Sequence, residues 1–109
     1  MTETRLYLLQ RASAFLLAPL VIAHLALIVY AVRGGLTAAE ILARTQGSVG
    51  WALFYGLFVV AVAVHAPIGL RSILREATPW RGAGLNVAVA LFGLLLLGLG
   101  LRAVWAVVA

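Results

Sequence analysis

His65 stands two-thirds of the way along the apolar run Trp51–Glu76, WALFYGLFVVAVAVHAPIGLRSILRE, which closes on Arg71, Arg75 and Glu76. An ionisable side chain inside a lipid-spanning helix is costly and therefore a functional candidate. Residues four apart share a helix face, so Ala61, His65 and Gly69 form a small–imidazole–small strip that continues to Ser72 and Glu76. A flat macrocycle bound through its iron needs a neutral imidazole with little bulk above and below it, and this strip supplies both. Two plainer readings use the same residues. The imidazole can hydrogen-bond to a neighbouring helix, and Ala61 with Gly69 can be a small-residue helix contact.

The second histidine, His24, is flanked on its own face by Leu20, Leu27 and Ile28. These leave no slot for a macrocycle, and a hydrogen-bonding or proton-path role suits it better. Depth separates the two imidazoles as well. His65 lies nine residues from Leu74 and His24 sixteen from Leu8, about 14 Å and about 24 Å from the same membrane face. Two axial ligands of one iron must meet at one level, so the second ligand is expected from elsewhere. At the inner ends of the first two spans, antiparallel packing is expected to bring Tyr7, Gln10, Arg11 and Ser13 towards Arg71, Ser72, Arg75 and Glu76. Forked guanidinium donors and hydroxyls suit the propionates of a haem or the carbonyl oxygens of a quinone. Arginines at helix ends also snorkel to headgroups, the plainer reading for Arg75, Arg81 and Arg102.

The elements that must position these groups are membrane spans. Of the 109 residues 65% are hydrophobic and 10% charged, and the mean hydropathy is +1.14. A soluble domain of this length could not bury that much apolar surface. Three apolar runs, about residues 8–32, 50–74 and 85–108, each suffice to cross a bilayer, and backbone in lipid must be helical here. The expected fold is therefore an all-α membrane protein, a single domain over residues 1–109 with three transmembrane helices in an up-down-up bundle. Met1–Arg5 reads as a polar lead-in, Thr37–Arg44 as a short interfacial helix opened by a Thr37/Glu40 capping box, and Pro67 as a kink in the second span. Trp51, Trp80 and Trp105 fall at the boundaries, as interfacial aromatics do.

All eight basic residues are Arg, against three Glu, giving a formal charge of +5. The arginines sit at the ends of apolar runs and meet lipid headgroups, which argues against nucleic acid. The N-terminal tail and second connector carry five arginines and the other side three, so the N-terminus is expected to be cytoplasmic. Cysteine is absent, excluding disulfides, thiolate-held clusters and covalent haem attachment within this chain. The first apolar run is too long for a signal peptide. With no transit peptide and no Lys, a bacterial inner membrane is the expected location.

Two stretches carry a family resemblance. Gln10-Arg11-Ala12-Ser13-Ala14 resembles the His-Arg-x-Ser-Gly motif of the cytochrome b-type membrane anchor subunit of succinate dehydrogenase and fumarate reductase. His65-x-x-x-Gly69-Leu70-Arg71, with Glu76 eleven residues after the His, is similar to its His-x-x-x-Gly-Ile-Arg…Asp motif. The likeness spans nearly the whole chain. The sister anchor subunit shares the three-helix plan and has a His-Ala-x-Ile-Gly run that His65–Gly69 echoes, but the Arg after the Gly-Leu pair favours the cytochrome b side. The resemblance implies an anchor for a flavoprotein and an iron–sulfur subunit, passing electrons to ubiquinone or menaquinone at the inner face. It implies His65 as an axial ligand of haem b, with a second membrane anchor subunit supplying the other ligand. It implies Arg11 and Arg71 near the propionates, Gly69 as clearance for the macrocycle, and Tyr7, Arg11 and Ser13 around the quinone. Gln10 replaces the family's His and Tyr7 the family's quinone-site Ser. A haem-free structural anchor is the main alternative. A small transporter would need an intramembrane carboxylate, and Glu3, Glu40 and Glu76 all lie at or beyond span ends.

Overall fold

Three helices open on a hydroxyl that caps them. Thr2, Thr37 and Ser48 each hold extended backbone, and each side chain accepts from the N–H three residues on, at Arg5, Glu40 and Trp51. Such caps satisfy amides that a helix start leaves free. The computed structural model describes residues 2–109. It consists of α1 (Glu3–Gly34), α2 (Ala38–Thr45), α3 (Val49–Ala77) and α4 (Ala83–Val108), with no strand among the described residues. The three long helices are each long and apolar enough to cross a membrane, and the expected up-down-up architecture is present. The helices overrun the apolar runs. Residues 3–5, expected as a lead-in, already belong to α1, while Met1 lies outside the described residues. The molecule is 48 Å long, about the thickness of a bilayer with its headgroup layers.

The central helix is α3, which packs against α1 on one side and α4 on the other; α2 rests on the end of α4. The α3–α4 seam is close because Gly93 and Gly100 lie in it. A Cβ at Gly93 would stand 2.8 Å from Pro67 Cγ and 3.1 Å from the Ala63 carbonyl oxygen, and one at Gly100 would stand 2.5 Å from Val59. Pro67 lacks the N–H that would bond the Ala63 carbonyl, and that carbonyl lies against Gly93. Pro67 lies within the continuous helix α3, and its ring packs against Gly93 of α4. Leu85, Val89 and Gly93 form the buried stripe of α4. Most other large apolar side chains are exposed, Phe15 to 85% and Trp105 to 72%, as expected for helices whose outer faces meet lipid or partner chains.

The connectors finish helix ends with arginine. Arg44 donates to the Gly35 carbonyl at 2.9 Å and lies over the Tyr30 ring. Arg81 donates to the carbonyls of Arg75, Thr78 and Trp80. Both place a cation where a helix leaves unpaired carbonyls and a negative dipole end. The interfacial helix α2 has the expected Thr37/Glu40 cap. It also caps α4 from outside: Thr45 donates to Val107, the Gly47 N–H to Val108 at 2.8 Å, and Gln46 to Ala109 at 3.0 Å.

Candidate functional site

Ser13, Gln10, His65, Gly69 and Arg71, among the residues singled out above, lie along one seam between α1 and α3. Positions 3, 10, 17 and 24 of α1, with Ser13 between, recur at the seven-residue spacing of a packed helix pair. At the end of the seam nearest the N-terminus Glu3 binds Arg71 through two contacts, 2.6 and 3.2 Å, and Arg75 at 3.1 Å. Arg71 also donates to Asn86 of α4 at 2.9 Å. The hydrogen bond from Arg71 holds the Glu3 carboxyl, which precedes the apolar run, below its usual range. One step deeper, Gln10 meets Gly69: a Cβ there would lie 3.2 Å from the Gln10 amide nitrogen. Next come Ser13 and His65, and farthest out His24 stacks on Phe58, centroids 5.0 Å apart. Phe58 precedes His65 by seven residues, about 10 Å along α3. The two imidazoles therefore stand at different levels, in agreement with the depth argument.

The Ser13–His65 contact determines the chemistry of the ring. Ser13 is buried, with Oγ 3.0 Å from the Gln10 carbonyl oxygen and 3.1 Å from His65 Nδ1. The hydroxyl has one proton, and a carbonyl can only accept. Both contacts are hydrogen bonds only if Ser13 donates to Gln10 and Nδ1–H donates to Ser13. The tautomer so assigned leaves Nε2 with a free lone pair, the form in which an imidazole binds a metal. On the same seam, Gln10 Oε1 is buried without a hydrogen-bond partner, an unmet demand of the kind that marks an absent ligand or water.

Three expectations are modified by this geometry. The clearing beside His65 is partly occupied, because α1 crosses it: Ala61 is only 4% exposed and Gln10 covers Gly69. The neighbouring-helix hydrogen bond and the small-residue contact, held open as plainer readings, both occur. Second, Arg11 does not join Arg71. It is exposed on the far side of α1, in a shallow hollow with Ala14, Phe15, Ala18 and Pro19. Tyr7, four residues earlier and 61% exposed, shares that outward face, whereas Ser13 faces α3. Third, Arg71 and Arg75 are already engaged by Glu3. Gln10 was expected at this contact, whereas the role of Glu3 was not anticipated; its seven-residue spacing with Gln10, Leu17 and His24 was the available signal.

A family model for the succinate dehydrogenase/fumarate reductase transmembrane subunit matches residues 2–101, a stretch containing the whole α1–α3 seam. The chain belongs to that family. No curated protein and no solved structure gives a match. As a transmembrane subunit of a succinate dehydrogenase/fumarate reductase complex, the chain is a multi-pass membrane protein with partner subunits, so its exposed apolar faces meet both lipid and protein.

Proposed function

We propose that this subunit is a haem b-binding anchor that helps pass electrons from an iron–sulfur subunit to a membrane quinone. The observation that carries the reading is the Ser13–His65 pair, which leaves Nε2 as a free donor inside a membrane span. The donor set fits a haem. No three His, Cys, Asp or Glu side chains cluster among the described residues, so His65 would offer a haem iron one ligand from this chain, and a second would come from a partner anchor. Haem b, when bound, supplies a one-electron centre at the depth of His65.

The chain's own residues have distinct parts in this reading. His65 Nε2 is the ligand, and Ser13 fixes the ring's tautomer and orientation. Gly69 and Ala61 are the small residues one turn either side of the ring, and a macrocycle there needs α1 to draw back from them. The Gln10 amide, beside Gly69 and with its oxygen unsatisfied, is a polar group of the seam that would meet a propionate, its oxygen and nitrogen being exchangeable by rotation. Arg71 is assigned to the ion pair with Glu3. Tyr7 and Arg11 present donors outward on one face of α1, where a quinone carbonyl meets them against a partner surface. The N-terminal end then faces the cytoplasm of a bacterial cell, with flavoprotein and iron–sulfur subunits bound there.

The test is a dithionite-reduced spectrum of the purified complex. Wild-type and His24→Ala complexes should show a b-type α band, and His65→Ala should lose it with the subunits still co-purifying. An intact complex lacking the band in the wild type establishes the second reading, a haem-free anchor. The closure of α1 over Ala61 and Gly69 is the observation that favours that alternative.

A further inference from the structure

α1 and α4 flank α3 but leave one side of it uncovered, and the gap is a groove of about 540 Å³. Leu6 and Leu9 of α1, Val64 and Ile68 of α3, and Val89 and Leu94 of α4 contribute to its walls; Arg71 and Asn86 are its polar lining. From Val60 to Arg71 it follows eleven residues of α3, about 16 Å, roughly half of a ~30 Å hydrocarbon core. The groove is thus one leaflet deep, apolar throughout, with its polar end at the headgroup layer. At that end two guanidiniums share the single carboxylate of Glu3, leaving one positive charge in excess. Arg71 is largely enclosed, its side chain 14% exposed, whereas Glu3 is 65% exposed and free to be exchanged.

We propose that this groove holds an acyl chain of an anionic phospholipid drawn from the inner leaflet, with the lipid phosphate on Arg71 and Arg75 in exchange for Glu3. Length, apolar lining and excess charge at the headgroup level together select this occupant. A zwitterionic lipid satisfies the first two and not the third. Arginine presents a planar fork that matches a phosphate's oxygens, and Asn86 holds that fork at the groove mouth.

The experiment is native mass spectrometry of the purified complex, delipidated and then given phosphatidylglycerol or phosphatidylcholine of equal chain length. The wild type should retain phosphatidylglycerol in preference to phosphatidylcholine. Glu3→Gln, which releases both guanidiniums, should strengthen that preference about fivefold, the effect of roughly one basic side chain at a lipid surface. Ala90→Phe, at an exposed groove-lining position of α4, should remove one bound lipid per subunit. Equal retention of the two lipids overturns the proposal, as does an unchanged lipid count in Ala90→Phe. Loss of a partner anchor from Ala90→Phe with the lipid count unchanged also overturns it, and assigns the groove to a protein helix. Glu3→Gln lies outside the span and keeps the test readable should Ala90→Phe fail to insert.

Discussion

A hydroxyl has one proton to give, and at Ser13 the Gln10 carbonyl takes it. That local fact turns a lone histidine into an oriented donor, since the Nδ1 proton of His65 then points at Ser13 and Nε2 points elsewhere. Ser13→Ala removes the acceptor. Where such outer-shell partners are lost, metal affinity typically falls about 10–100-fold, and this variant should show that loss in a haem titration of the complex. The haem it retains should have a higher midpoint potential, because an imidazole without an acceptor for its Nδ1 proton donates less electron density to ferric iron. Ser13→Thr keeps the hydroxyl and should restore both values. A Ser13→Ala complex with unchanged affinity and potential would confine Ser13 to helix packing. His65 was legible in the sequence because a titratable ring in lipid stands out. Its partner was less legible: a serine on an apolar helix carries no mark of direction until the register with α3 is known.

At the scale of the helix, sequence pattern gave the spans and their approximate ends, and it gave the capped α2 from Thr37 and Glu40. It gave the pairing of the first two spans but not which faces of the helices touch. Spans that are apolar all round carry no amphipathic stripe to orient them, so the seams depend on small residues that composition alone does not distinguish. Gly93 and Gly100 are cases in point. The α3–α4 seam closes over them, while Gly98, in the same Leu/Gly-rich stretch, has open space around it. Gly93→Leu should therefore act as an overpacked core, costing about 1–3 kcal/mol or more, and Gly98→Leu should be nearly neutral. The temperature at which the detergent-solubilised complex loses its subunits will show the difference. Equal effects would mean that the seam does not run through Gly93. Pro67 illustrates the same limit: the sequence suggests a kink but gives no sign that the ring lies against Gly93 of α4.

Across the whole molecule, arginine placement is the one long-range signal the sequence carries. Five of the eight lie in the N-terminal tail and the α3–α4 connector and their adjoining helix ends, and the excess predicts that end in the cytoplasm. Because the chain has no cysteine, single introduced thiols report sidedness without background. In intact spheroplasts Thr2→Cys should resist a membrane-impermeant maleimide and Gln46→Cys should react. The opposite pattern would invert the topology and move Tyr7, Arg11 and the Glu3–Arg71 pair to the outer surface. The partner subunits were legible only through the family motifs, since nothing in one chain's composition says which lipid-like face another chain will cover.

The central claim is that His65 gives its Nε2 to haem iron, and imidazole rescue tests it most directly. His65→Gly should yield an assembled complex without the b-type α band, and added imidazole, entering the space the side chain leaves, should restore it in a saturable way. A His65→Gly complex that shows the full band with no imidazole added would contradict the claim.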